Sequence, residues 1–496
     1  MELIWKELDA ERLVGEKSVQ VMIAGELPTP DGRSPKEVLA VSARMITEDA
    51  SADKDRVDVS GRIAVSITAV DEEQKPMFYE SSAEFTHSLD MEGVGIGMSA
   101  EVEYAIQSIT AVPSNAGVSM NANVDLRVLA VSSVPLKVTG GVSGLSDLEM
   151  NTVSYESVKR VRLGSDSLRM REELAAENAA QVISSEGQIL VRDVSIEQGA
   201  ATVSGVLTVS AVTVDSSDRI SQLVRQVPFR ERIALNGFGN EVFCTADLDS
   251  IYMRALGEEF ALVSMEAEVT FNIYGLVRDT LVLPVDAFSP TIPFKCLSDR
   301  VRLLGDLGVS ASQTTIKETI PLPDNAAELA SCLFVSVRPI VSEALPVTGG
   351  TQISGILSTT TVFESTAGRL YTFTEDVPFS VLTESSVCPD LSLVKASCVG
   401  FVSGTGERSV QVQYTLLLEI CAKKVVEKDL IVGLCEDDAE GARSTELSGI
   451  VICFTNEGDS VFDIAKRYSV PSESVRRLNP DINEPFKEGE KLILMM

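Results

Sequence analysis

One short pattern recurs three times at long range, and it limits the fold more than any other feature. From Val57 to Ala69 the odd positions are Val57, Val59, Gly61, Ile63, Val65, Ile67 and Ala69, and most even positions are polar. This alternation marks a half-buried β-strand. The same core of an aliphatic residue, a serine and a glycine returns as Val203-Ser204-Gly205 and Ile353-Ser354-Gly355. The glycines are 144 and 150 residues apart. Phe85, Phe229 and Phe379 each lie 24 residues beyond their glycine, the last two inside Val-Pro-Phe. A second alternating strand holds the same register. It runs Met120, Ala122, Val124, then Met265, Ala267, Val269, then Val410, Val412, Tyr414, at offsets of 145.

A spacing this long implies duplicated domains, since solenoid units run about 20–50 residues. The fold class expected is mainly β, with three tandem antiparallel sandwich- or barrel-like repeats. The segments are 1–16 (N-terminal), 17–150, 151–290 and 291–436 (repeats), 437–449 (acidic linker) and 450–496 (a different module). The motif glycines, Gly61, Gly205 and Gly355, are expected at a bulge or a close backbone approach. The phenylalanines Phe85, Phe229 and Phe379 are expected as core anchors. Pro228 and Pro378 suit a strand start or edge. Ahead of the tail, helix is expected only in the first dozen residues and over Ser167–Val182, which is rich in Glu and Ala.

The tail from Ile450 reads as strand, helix, helix, strand. Ile450-Val451-Ile452-Cys453-Phe454 is a short apolar strand. Asp459 or Ser460 can cap a helix that places Val461, Ile464, Ala465 and Tyr468 on one face. Pro471 and Ser472 suit the start of a second helix. Asn479-Pro480-Asp481-Ile482 forms a turn, and Lys491-Leu492-Ile493-Leu494 the last strand.

Composition narrows the chemistry. The chain has 496 residues, 42 basic and 73 acidic, for a formal net charge of -31. Such a chain repels nucleic-acid phosphates and anionic membrane surfaces. His87 is the single histidine, so histidine metal clusters are excluded. The eight cysteines form no C-x-x-C pair, and they read as small apolar residues in a reducing compartment. Acids and bases interrupt the apolar residues of the first twelve positions, so no signal peptide is expected, and no stretch is long enough to span a bilayer. Nucleophile elbows, phosphate loops and metalloprotease motifs are absent. Gly93-Val94-Gly95-Ile96-Gly97 lacks the third glycine of a dinucleotide fingerprint and reads as a hairpin loop. Neither enzymatic activity nor a cofactor or metal site is expected. The segment holding Ile4, Trp5 and Leu8 reads as packing on the first domain, with a partner-docking helix as the alternative.

The tail closely resembles a LysM domain. The matching residues are Gly458-Asp459-Ser460, Ile464-Ala465, Tyr468, Val470, Leu478-Asn479-Pro480, Gly489 and Leu492-Ile493. The resemblance implies a βααβ fold and a shallow groove formed by Gly458, Asp459, Ser460, Asn479, Pro480, Asp481 and Ile482. In the family this groove holds N-acetylglucosamine-containing glycan. The same residue types also serve as caps and turns, and that alternative stays open. Glycan grooves often carry aromatic faces, for which the tail offers Phe454, Phe462, Tyr468 and Phe486.

Tandem β domains ending in one LysM module are similar to the SipL-type spore coat morphogenesis proteins, whose repeats belong to the SPOCS (spore-coat-associated) family. The Val/Ile-Ser-Gly strand and the Pro-Phe motif carry the likeness. So does a proline-containing lead-in, Glu26-Leu27-Pro28 and Glu318-Thr319-Ile320-Pro321-Leu322-Pro323; Met170–Ala175 in the second copy lacks the proline. The resemblance implies a non-enzymatic adaptor in the mother-cell cytoplasm, at the forespore surface. Its LysM domain would dock on the ATPase that polymerises into the coat's basement layer (SpoIVA-type), and its β repeats would recruit other coat proteins. The alternative function is a peptidoglycan-binding cell-wall protein. No nucleic-acid partner and no membrane insertion are implied.

Overall fold

The computed structural model describes every residue except 1, 30–34, 116, 144, 177–178, 218, 238, 240, 257–260, 385–388, 437–448 and 496. The acidic linker expected at 437–449 thus lies outside the described residues, apart from Gly449.

The architecture is mainly β and antiparallel. The first third of the chain holds β1 (Glu2–Leu8), β2 (Glu11–Pro28), β3 (Glu37–Asp53), β4 (Arg56–Val70), β5 (Pro76–Asp90), β6 (Ser99–Ser114), β7 (Gly117–Ser132) and β8 (Leu136–Ser143). The second holds β9 (Glu149–Ala175), β10 (Gln181–Glu197), β11 (Ala200–Val214), β12 (Ile220–Ala234), β13 (Glu241–Ala255) and β14 (Leu262–Phe288). The last holds β15 (Phe294–Pro321), β16 (Leu329–Val347), β17 (Gly350–Ser365), β18 (Leu370–Glu384), β19 (Leu391–Gly406) and β20 (Ser409–Glu436). The tail is β21 (Ile450–Phe454), α1 (Val461–Tyr468), α2 (Ser472–Leu478) and β22 (Lys491–Met495).

Each third pairs its strands in the same two triplets. These are β3-β4-β5 with β6-β7-β2, β10-β11-β12 with β13-β14-β9, and β16-β17-β18 with β19-β20-β15. The alternation in the sequence is the reason. Val59, Ile63, Val65 and Ile67 all face one buried side of β4, so the strand must lay that face on another sheet. Inside the first third they meet Met120, Ala122, Val124 and Leu126 of β7. Val203 and Leu207 meet Met265, Val269 and Phe271 in the second, and Ile353 and Leu357 meet Val410, Val412 and Tyr414 in the last.

The motif glycines occupy matching places. Gly61 pairs directly with Phe85, Gly205 with Phe229, and Gly355 with Phe379. On the other side the glycines face Thr47, Val191 and Val341, each at a register shift of the neighbouring strand. A Cβ on the glycines would lie 2.2, 2.0 and 2.1 Å from the carbonyl oxygens of Ile46, Leu190 and Ile340. Pro228 and Pro378 sit in β12 and β18, which are edge strands needing no donor on their open side.

Two stretches expected to be helical are strands. Residues 2–8 form β1, paired antiparallel with β8. Residues 167–175 continue β9, paired with β14 through Leu168↔Val269, Met170↔Ala267 and Leu174↔Val263. Glu and Ala favour helix weakly; a full-length ladder on one side and burial of Met170 override that preference.

The thirds share apolar cores. Leu8, Leu136 and Val138 pack with Tyr155, Leu281 and Leu283 and with Val301, Leu303 and Leu430. Leu39, Ala40 and Val70 pack with Val212, Val214 and Ile220 and with Phe334 and Val362. A short ladder between Arg12–Glu11 of β2 and Leu303–Leu304 of β15 joins the first and last thirds into one nine-stranded sheet.

Candidate functional site

The tail is built from its caps outward. Ser460 stands in extended backbone at the start of α1, and its hydroxyl accepts the Asp463 N–H at 3.3 Å. The Asp463 carboxylate accepts the Ser460 N–H at 2.8 Å, completing a capping box. Asp459 accepts the Asn456 N–H at 2.9 Å and holds Arg467 at 2.9 and 3.0 Å. Gly458 turns the chain with φ +86°, a left-handed conformation suited to glycine, and donates to the Phe486 carbonyl at 2.9 Å.

Asn479 fastens α2 to β22. Its Nδ2 donates to the Val475 and Ile493 carbonyls at 2.8 Å each, and its Oδ1 accepts the Ile493 N–H at 2.7 Å. Pro480 and Asp481 are exposed, and Ile482 is half-buried against the tail core. The two loops meet through residues 484–486. The Phe486 N–H donates to the Asp459 carbonyl at 2.8 Å, and the Val461 N–H to the Glu484 carboxylate at 3.0 Å. Of the seven candidate groove residues, Asp459, Ser460 and Asn479 therefore have their polar groups committed to caps and bridges. Gly458, Pro480 and Asp481 remain exposed.

Aromatic rings are largely withdrawn from this end. Phe486 is buried, and Tyr468 is half-buried against the tail core. Phe462 packs edge-on against Phe288 of the middle third at 5.2 Å. That contact seats the tail on the β9/β14 ribbon, with two polar partners. Lys466 lies 2.6 Å from Asp286, and the Ser472 N–H and hydroxyl both go to Glu149. Ser472 does not cap α2; Pro471 occupies the cap position and Ser472 holds the neighbouring third.

Sequence reasoning missed two features. The first is the outer face of the β21–β22 sheet. Ile450 pairs with Met495 and Ile452 with Ile493, while Phe454 pairs with Lys491. All five hydrophobic side chains are exposed, Ile450 by 74% and Phe454 by 58%. Because Val451 and Cys453 on the other face are apolar too, alternation hides the outward stripe. The second is a charge network between the thirds. Lys423 lies 2.9 Å from Glu101 and 3.5 Å from Asp306. Arg160 lies 3.2 Å from Glu101 and 3.3 Å from Asp306, over the Tyr274 ring at 5.2 Å. Burial pulls the Lys423 pKa down, but Glu101, Cys421 and Asp306 outweigh it and raise the value overall. No signal in one chain's periodicity shows that residues more than 300 positions apart will meet, as Glu101 and Lys423 do.

The remaining candidates sit in a ladder and in turns. His87 is half-buried opposite Val59 in the β4–β5 ladder. Gly93 and Gly97 take positive φ in the turns between β5 and β6. Among the described residues no group of three His, Cys, Asp or Glu side chains is placed to hold a metal ion. No described helix is long and apolar enough to cross a membrane.

Comparison with known families adds one decisive observation. Residues 35–113 match the family model of the SipL SPOCS domain. The match covers β3 to β6, including Gly61 and Phe85, in the first third of the chain. SPOCS is not a known enzyme family. No curated protein and no solved structure matches the chain.

Proposed function

We propose that the chain is a non-enzymatic adaptor in spore coat assembly. The SPOCS match over 35–113 carries this reading. The strand pairing of the second and last thirds, with Gly205–Phe229 and Gly355–Phe379 placed like Gly61–Phe85, supports extending the SPOCS reading to them. The strand-helix-helix-strand tail supports the LysM reading. In this proposal the tail docks on the basement-layer ATPase at the forespore surface, and the β thirds gather further coat proteins. Several contact surfaces on one chain raise avidity without new chemistry.

The docking end offers Gly458, Pro480, Asp481 and Ile482; Asp459, Ser460 and Asn479 shape it from behind. Phe462, Tyr468 and Phe486 are packed away and Phe454 lies on the outer face of the β21–β22 sheet, which favours protein docking over stacking on a sugar ring. The test is retention of the full chain on the immobilised basement-layer ATPase, compared with Asp481→Lys and with a tail-less chain. Retention lost in both variants is expected. Retention unchanged without the tail, or strong saturable binding to peptidoglycan sacculi instead, overturns the proposal. Tagged protein in sporulating cells should form a ring around the forespore; uniform wall labelling contradicts it.

A further inference from the structure

A cavity of about 1280 Å³ lies where the three thirds meet. Matching strands of each third line it, β3 and β6, β10 and β13, β16 and β19, and the first third adds residues of β2, β4, β5 and β7. Four of these, β10, β13, β16 and β19, are edge strands, and β3 touches β6 in register only at Ser51 and Ser99. Edge strands carry unpaired backbone groups and accept an added extended strand. The volume also exceeds the roughly 300–1,000 Å³ of an ordinary small-molecule pocket.

Three side chains enter the cavity wall from matching positions. Thr47, Val191 and Val341 face the motif glycines, and three residues before them stand Arg44, Gln188 and Arg338. Gln188 is 3% exposed. Its Nε2 donates to the Ser397 carbonyl and hydroxyl at 2.8 and 3.0 Å, while its Oε1 is buried with no partner. Arg338 makes no side-chain hydrogen bond or close ion pair with any described residue, and its Nε is buried unpaired; burial lowers its pKa, against the more distant charge of Asp376. Two of the acids that line the cavity are already engaged, while Glu343 at its rim is exposed. Glu186 accepts from Ser42, and Glu103 holds Arg127 at 3.6 Å and the Val394 N–H at 2.5 Å. The cavity thus presents a guanidinium and a buried amide oxygen that each lack a hydrogen-bond partner.

We propose that the cavity receives an extended peptide segment bearing a carboxylate, which Arg338 binds while a peptide N–H reaches Gln188 Oε1. A guanidinium binds a carboxylate through two parallel hydrogen bonds. A half-buried guanidinium with a buried, unpaired Nε and a buried acceptor without a partner cost stability in the empty protein, and a peptide satisfies both at once. This inference concerns the β thirds and stands independently of what the tail docks on. The net charge of -31 disfavours loose adsorption of acidic peptides, so retained ones report the cavity.

The test is selection of a random decapeptide display library on the full chain. Binding of the best peptides is then measured by fluorescence anisotropy. Enriched peptides should place Asp or Glu among residues that favour extended chain. Arg338→Gln should weaken binding at least tenfold, as should exchanging the peptide's Glu for Gln. The melting temperature of Arg338→Gln should be equal to or above that of the parent, which a purely structural arginine would not show. Should Arg338→Gln fail to fold, Arg338→Lys keeps the charge but loses the fork, and should weaken binding several-fold. No enrichment, enrichment without acids, or binding unchanged in the arginine variants overturns the proposal. So does inorganic phosphate or free glutamate competing as well as the peptide, which makes the site one for a bare anion.

Discussion

Gly205 has no room for a side chain. A methyl group there would sit 2.0 Å from the Leu190 carbonyl oxygen and 2.6 Å from the Phe229 ring. Backbone on one side and a core ring on the other leave no cheap way to yield. Gly205→Ala should cost about 3 kcal/mol in chemical unfolding, by overpacking, and Gly61→Ala and Gly355→Ala should behave alike. Equal stability of Gly205→Ala and the parent would refute the close approach. Glu186 sets a pH dependence. Burial is the largest influence on it and raises its carboxyl above the ordinary 4.5, against the Ser42 hydrogen bond and Arg44, which lower it. The folded chain therefore binds this proton more readily than the unfolded one. The contribution is fully present below pH 4.5 and is lost as pH rises through the raised value. Urea midpoints should be higher at pH 5.5 than at pH 8, and Glu186→Gln should reduce that difference.

The element that departs furthest from expectation is β1. Its ladder with β8 places Leu8 at 2% exposure in the core shared by all three thirds, and leaves Trp5 51% exposed. Leu8→Ala should cost about 2–5 kcal/mol, the range for a buried leucine, whereas Trp5→Ala should cost under about 0.5 kcal/mol, as surface changes usually do. Far-UV circular dichroism during urea unfolding separates the two; equal losses would mean that β1 is not clamped as described. The helices of the tail were readable because caps are local. Ser460 and Asp463 are three residues apart and close their box without outside help. The role of Ser472 was not readable, since its partner, Glu149, comes from a distant strand.

At the scale of the molecule, Lys423, Asp306, Glu101 and Arg160 tie three regions of the chain together in a buried network. Lys423→Ala strips Asp306, itself 1% exposed, of its ammonium partner and leaves it with Arg160. The loss should be about 3–5 kcal/mol, as for a broken buried pair, and calorimetry should show the single transition split into separate ones as the thirds uncouple. A smaller loss with one sharp transition would show that the apolar cores alone join them. Those cores predict a second outcome. The middle third expressed alone, residues 149–288, exposes Tyr155, Leu281 and Leu283. It should self-associate in size-exclusion chromatography with light scattering, whereas a monodisperse monomer would mark the thirds as independent.

The sequence by itself determined that the chain makes alternating strands, where glycine and phenylalanine anchor them, and how the first tail helix begins. These follow from neighbours a few residues apart and from repetition along the chain. Periodicity says that a strand has a buried face but not which strand covers it. Only the tertiary structure decided that β1 is a strand, that Phe462 seats the tail on Phe288, and that Arg338 and Gln188 share a cavity wall. Each joins positions far apart in sequence, and such contacts are selected by the packing of whole sheets, in which local propensity has little weight.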